Sequence, residues 1–300
     1  MKMRRSLALI FMCAFFNGQI KAQNKMHITE QLTYGTIRMV ATNSKFTSTG
    51  TGFFFTFYND LAKQVPINVI ITNKHVVNGF QRIQLYFKKV KNNEPDNGPA
   101  YVVTIPNNST TVIQHPNNDI DLVAIPTAWI YAELAKKNIG VYYIAADESR
   151  IATDSALKVD LKAIEDVWMI GYPMGLWDAD NNLPIVRKGI TATPPYVNYN
   201  GKREFMIDIA AFHGSSGSPV EYYRDLYVDK NYVPKIGTKL YLLGILYAGA
   251  EYAANGKLIK VNPKPIPTKD STKITTNIPI NLGYVIKASE LLEFKKLLPR

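Results

Sequence analysis

Residues 67–77 read INVIITNKHVV. The first seven are short, apolar and β-branched, and they close on Asn, which is the composition of a strand. His75 follows directly. A histidine at a strand end is held by a rigid scaffold and can still face a cleft. Most isolated histidines in such places are structural, so a chemical role for His75 depends on what the rest of the chain brings to it.

The same strand signal repeats on both sides. Gly-rich TGTG (49–52) leads into FFFTF, and IQLYF (83–87), YVVTI (101–105), STTVI (109–113) and DLVAI (121–125) follow. A second series comprises DVWMIGYP (166–173), PIVRKGITAT (184–193), FMIDIAA (205–211) and LYLLGILYAG (240–249). Each run is rich in β-branched or aromatic residues and bounded by Asn, Pro, Gly or Asp. AWIYAELAKK, within 127–138, has helical spacing and separates the two series. KASELLEFKKLL (287–298) predicts a closing helix with Ser289 as its cap. Strands and helices do not alternate, and no unit of about 20–50 residues repeats. The chain therefore reads as all-β, a sandwich or barrels in two halves.

The N-terminus is a separate matter. Lys2, Arg4 and Arg5 precede an apolar run from Leu7 to Phe16, and a weaker stretch ends at Ile20-Lys21-Ala22. Basic, then apolar, then small is the pattern of a cleaved export signal, here residues 1–22. The apolar run is about half of what a bilayer-spanning helix needs, so no stable membrane insertion is expected after cleavage. A secreted or periplasmic protein is expected. Cys13, the only cysteine, lies inside this run behind bulky Phe11-Met12, which argues against lipid attachment. The mature chain has no thiol, so its stability rests on its core without disulfides.

Losing Lys2, Arg4, Arg5 and Lys21, and no acidic residue, lowers the formal charge from +11 to +7. The remaining lysines are scattered and are densest in the Pro/Lys-rich stretch 257–273. No stacking module and no arginine-rich helix accompanies them, so nucleic acid is not the expected partner. No cluster has metal-ligand spacing, and no cofactor is implied.

Three further histidines can be weighed against His75. His27 lies beside the new N-terminus, His115 precedes a proline in a polar turn, and His213 lies in FHGSSGSPV (212–220). The acids nearest in pattern to His75 are Asp119 and Asp121 in HPNNDIDLVAIP (115–126). If both lie in the strand, they share one face. With Asp119 as the orienter of the imidazole, Asp121 becomes a second buried carboxylate on that face. With Asp121 as the orienter, Asp119 falls in the polar turn and the neighbour is Val123. Asp121 is the better choice, and Asp119 stays as the alternative. FHGSSGSPV adds three serines, Ser215, Ser216 and Ser218. The resulting order is His, Asp, Ser on an all-β chain.

At this point the sequence resembles the trypsin-like serine peptidases of the bacterial, disulfide-free kind. TGTGFFF, ITNKHVV, HPNNDIDLVAIP and GSSGSPV carry the resemblance, and GYPMGL (171–176) and NLPIVRKGITAT (182–193) extend it over roughly residues 34–250. The family pattern Gly-x-Ser-Gly-Gly-Pro falls on Gly214 to Pro219 and makes Ser216 the nucleophile; Ser218 replaces its second glycine. Animal members carry an acid just before the nucleophile, which pairs with a freed N-terminus; here Ser215 stands there.

The resemblance implies two six-stranded antiparallel β-barrels of chymotrypsin type with a C-terminal helix. The N-terminal barrel would occupy 23–145 and the C-terminal barrel 146–300, with 221–239 and 251–275 as insertions. It implies a catalytic set of His75, Asp121 and Ser216, an oxyanion hole from the N–H groups of Gly214 and Ser216, and a polypeptide substrate. Substrate contacts would fall on Ala210 at the pocket base, on His213, and on Tyr247, Ala248 and Gly249. No acid stands at the pocket base, so a preference for Lys or Arg is not implied. The competing reading is a catalytically silent homologue that binds peptides or a protein surface.

Overall fold

In the computed structural model, residues 26–58, 65–229, 233–257 and 273–298 are described. The expected export signal and most of the 257–273 stretch lie outside them. The first ten strands are β1 (Thr36–Thr42), β2 (Thr47–Tyr58), β3 (Pro66–Thr72), β4 (Arg82–Lys91), β5 (Glu94–Pro95), β6 (Tyr101–Pro106), β7 (Ile113–Gln114), β8 (Val123–Pro126), β9 (Val141–Tyr142) and β10 (Ala146–Asp147). They form one sheet with the main path β5-β4-β1-β2-β3-β8-β7; β6 and β9 pair with β4, and β10 pairs with β2. The remaining six are β11 (Asp166–Gly171), β12 (Ile185–Thr191), β13 (Glu204–Asp208), β14 (Pro219–Val228), β15 (Pro234–Lys257) and β16 (Lys273–Lys287). They close into a barrel in the order β11-β12-β13-β16-β15-β14.

The all-β class in two halves is as expected, and six strands describe the second half. The first half differs from a six-stranded barrel: it is a branched ten-stranded sheet. Three local expectations also change. STTVI (109–113) is mostly a turn, because Asn108 Oδ1 accepts the N–H groups of Thr110 and Thr111 and draws them away from a ladder. The closing helix is a 3-10 helix, Ala288–Lys296, capped by Lys287. Ser289 does not cap it; its hydroxyl accepts from Arg203 instead. Finally, 221–228 and 234–239 are not loop insertions but a paired ribbon that lengthens β14 and β15.

The period of two along β2 divides the core. Phe54 turns into the first half with Ile37, Met39, Ile70, Ile83 and Leu85. Phe53, Phe55 and Phe57 turn the other way and meet Leu242, Ile245, Leu291 and Phe294 from the C-terminal half. Neighbouring strands follow the same rule. Ile70 and Val123 face the first core, whereas Ile71 and Leu122 face the seam between the halves. Each fully buried phenylalanine contributes about 1.5–3 kcal/mol of transfer free energy, so the seam is a core in its own right. The ends of β3 and the approach to β8 therefore open onto a rigid junction.

Candidate active site

His75 sits in a four-residue helix, Lys74–Val77, directly after β3. Val76 and Val77 are buried and anchor it. Gly50 makes room: a Cβ there would lie 2.4 Å from a Val76 methyl. The imidazole is half exposed, with 50% of its side chain accessible. Asp121 reaches it twice. One carboxylate oxygen accepts the backbone N–H of His75 at 3.1 Å, and the other stands 2.5 Å from Nδ1. A carboxylate accepts only, so Nδ1 carries the proton, and in a neutral ring Nε2 is then the acceptor.

Asp121 does not take this place by strand alternation, since β8 begins only at Val123. A loop sets it. The Asn73 amide donates to the Asp121 carbonyl at 2.8 Å, and the His115 N–H donates to the Leu122 carbonyl. Asp119 is exposed in the turn, its N–H on Asn117 Oδ1. His115 is buried, its Nε2 3.1 Å from the Glu290 carbonyl and its ring edge-on to Phe294; it belongs to the seam. His27 is the N-cap of the helix Ile28–Thr33.

Ser216 lies in a loop held from several sides. The Thr51 N–H donates to the Ser216 carbonyl at 2.9 Å, and Thr51 Oγ1 donates to the Gly214 carbonyl at 3.0 Å. Thr72, three residues before His75, donates to the Thr51 carbonyl at 2.7 Å. Thus the loop docks where the His75 strand ends. On the opposite side, the Gly217 N–H donates to Leu246 and the Leu246 N–H to Ser218, which ties the loop to β15. Gly217 (φ +87°) passes so close to Thr51 that a Cβ would lie 1.9 Å from its carbonyl oxygen. Among the described residues, Ser216 Oγ shares no hydrogen bond with His75. Such bonds in free enzymes are often long and tighten on the substrate.

The N–H groups of Gly214 and Ser216 have no acceptor among the described residues. The Met174 N–H takes the His213 carbonyl at 2.5 Å. In a planar trans peptide C=O and N–H point oppositely, so the Gly214 N–H faces away from Met174. Its φ of +82° and a Cβ only 2.5 Å from the Tyr172 carbonyl reserve the position for glycine.

Of the expected substrate contacts, Ala210 is half-buried and His213 exposed. Tyr247 and Ala248 are half-buried on β15, and Gly249 is exposed beside a bulge. Gly249 and Ala211 face each other, with a Cβ on Gly249 placed 3.6 Å from the Ala211 carbonyl, so the two segments lie side by side. Tyr247 donates to Glu204 at 2.6 Å, and burial followed by that carboxylate raises its pKa.

A family model described as a trypsin-like peptidase domain matches residues 50–221, more than half of the chain. The chain belongs to the trypsin-like peptidase family. This peptidase is thus a serine endopeptidase, a hydrolase acting on polypeptides. Solved structures that the chain resembles include the serine endoprotease from Yersinia pestis, at 13% identity and TM-score 0.45, covering 96% of this chain and 67% of that one. Another is a serine-to-alanine, inactive form of Rv3671c from M. tuberculosis H37Rv, at 15% and 0.38, covering 88% and 86%. A third is a serine-to-alanine form of the HtrA-type protease AlgW with a tripeptide, at 15% and 0.44, covering 89% and 60%. A sequence search of curated proteins found no match. Among the described residues, no helix is long and apolar enough to cross a membrane.

Two residues of the site were not singled out in the sequence, Thr51 and Arg187. Thr51 had a readable signal, since it stands between the glycines of TGTG. Arg187 had one too: with Lys188 it puts two adjacent charges in the strand PIVRKGI, and in a pleated strand adjacent side chains point to opposite faces, so one of them turns inward.

Proposed function

We propose that this peptidase is exported and cleaves peptide bonds through His75, Asp121 and Ser216 by way of an acyl-enzyme. The observation that carries this reading is the pair of hydrogen bonds that Asp121 accepts from His75, one from the backbone N–H and one from Nδ1, which leaves Nε2 of the neutral ring to accept a proton. Ser216 Oγ attacks the scissile carbonyl carbon as its proton passes to Nε2. Asp121 holds the ring and stabilises the imidazolium. The carbonyl oxygen becomes an oxyanion and takes the free N–H groups of Gly214 and Ser216, each such donor being worth about 3–4 kcal/mol in enzymes of this type. The intermediate collapses, the C–N bond breaks, and the leaving amine takes the proton from His75. Water, deprotonated by the same imidazole, then hydrolyses the ester and returns Ser216. The adjoining segments 210–213 and 247–249 receive the substrate chain.

Export rests on the pattern of residues 1–22 and predicts a mature chain that begins near Gln23 and lacks a thiol. Mass spectrometry of protein from the medium or periplasm tests that part. A fluorophosphonate probe on the mature protein tests the chemistry: adduct on Ser216 is expected, and a folded protein that takes no label refutes the acyl-enzyme.

A further inference from the structure

β12 carries its side chains in an inverted order. Ile185, Val186 and Ile190 are 37%, 42% and 40% exposed, while Arg187 turns inward. Its guanidinium donates to the Ala210 carbonyl through Nη1 and to Ser215 Oγ through Nη2, the latter at 3.0 Å. Ser215 is fully buried, and its hydroxyl also accepts the Phe212 N–H at 3.3 Å. Nε is buried without a partner, and no carboxylate among the described residues pairs with the cation. Burial lowers its pKa to about 10, so the group is still charged at neutral pH.

An unpaired, desolvated guanidinium is costly, and apolar side chains could have filled its place. The cost is met by what it holds. Its two acceptors bracket residues 210–215, the segment that ends on the Gly214 N–H. The other ties of this loop come from Thr51, Met174 and Leu246 and act at residues 213–218; among the described residues, Arg187 grips its beginning from β12, next to the Ile209 N–H bond to the Asn281 carbonyl. We propose that Arg187 is a positioning residue, an internal cationic strut that holds the 210–215 segment so that the Gly214 and Ser216 N–H groups stand ready for the oxyanion. The site is then assembled by a charge from within the folded barrel, with no need for a freed chain terminus. This rests on the acyl-enzyme reading above for its catalytic consequence, but not for its structural one.

The test uses the full mature protein and the variants Arg187→Met and Arg187→Lys, with circular dichroism to confirm folding. For a reactive peptide ester, kcat should fall about a hundredfold in Arg187→Met, the scale of a displaced catalytic group, while KM changes little. Arg187→Lys keeps the charge but cannot span both acceptors, and should recover only part of the rate. Hydrogen exchange should quicken in 210–218 and leave the first sheet unchanged. If Arg187→Met does not fold, Ser215→Ala, which removes one acceptor, should show the same local exchange change. Unchanged exchange of 210–218 in a folded variant overturns the strut. So does a rise in KM at constant kcat, which would make Arg187 a substrate contact. Failure of the wild type to take a fluorophosphonate would refute the catalytic reading alone, since the exchange result stands without activity.

Discussion

The two limbs of the proposed active site are held by opposite means. The base limb is compact: His75 stands in the short helix that Asn73 caps, Asp121 lies on the loop before β8, and its carboxylate orients the ring. The nucleophile loop has no carboxylate partner among the described residues. It is held by hydrogen bonds from Thr51, Met174, Leu246 and Arg187, drawn from both halves of the chain. A ring needs one orientation and one tautomer, which a single carboxylate can impose. Two N–H groups aimed at a point need a whole loop fixed, and that takes several elements.

The sharpest break of this comparison is the loss of the attacking atom. Ser216→Ala should lower kcat by about a millionfold, as triads that act as a unit do when the nucleophile is removed. Ser215→Ala and Ser218→Ala should keep measurable turnover on a reactive ester. Death of the Ser218 variant alone would move the nucleophile.

On the base limb the expected effect is smaller. Asp121→Asn should cost about four powers of ten in kcat with the fold intact, because the amide no longer enforces the proton on Nδ1. Asp119→Asn should act within a factor of a few, as Asp119 is solvated in its turn. A dead Asp119→Asn enzyme with a mild Asp121→Asn would reverse the two roles.

The nucleophile loop should show its dependence on close approach in stability rather than rate. Gly217→Ala places a Cβ against the Thr51 carbonyl and strains φ. Thermal unfolding should report a loss of about 3 kcal/mol or more, the range of clashes that force a backbone shift. Gly79→Ala has the same sign of φ but open space around it, and should cost about 1 kcal/mol. Equal losses would show that strain, and not the docking against Thr51, governs the loop.

What could be read beforehand follows from the same division. The β-branched and aromatic runs INVIITN and FFFTF are patterns local in sequence, and they sufficed for the class; the candidate residues came from short motifs taken in the order His75, Asp121 and Ser216. Asp121 was reached by an argument from strand alternation, yet the chain there is a loop bonded to Asn73 and His115. The turn at 109–112 was hidden because Asn108 competes for N–H groups that the β-branched run offers to a ladder. Thr51 and Arg187 act through partners more than 20 residues away, and neither propensity nor period encodes such distance. Only the question of where a strand arginine finds its acceptors would have raised Arg187.

The smallest effect concerns a second contrast, between the carboxylates of the two limbs. Asp121 is partly solvated and bonded, whereas Glu221, just after the nucleophile loop, is 3% exposed with Oε2 unpaired. Among the described residues its charged neighbour is Arg150, at 3.9 Å. Burial raises its pKa from 4.5 to about 7, the arginine opposing. The folded state therefore binds a proton that the unfolded chain releases between about pH 4.5 and 7. Stability from this group is full below about pH 4.5 and is lost as the pH rises through about 7, with no further change above. The loss amounts to about 3 kcal/mol over that window. Glu221→Gln keeps the shape and removes the titration, so the difference in unfolding free energy between variant and wild type should widen in favour of the variant from pH 5 to pH 8. A difference that stays constant across that range would mean that Glu221 remains ionised in the fold and that Arg150 compensates its charge.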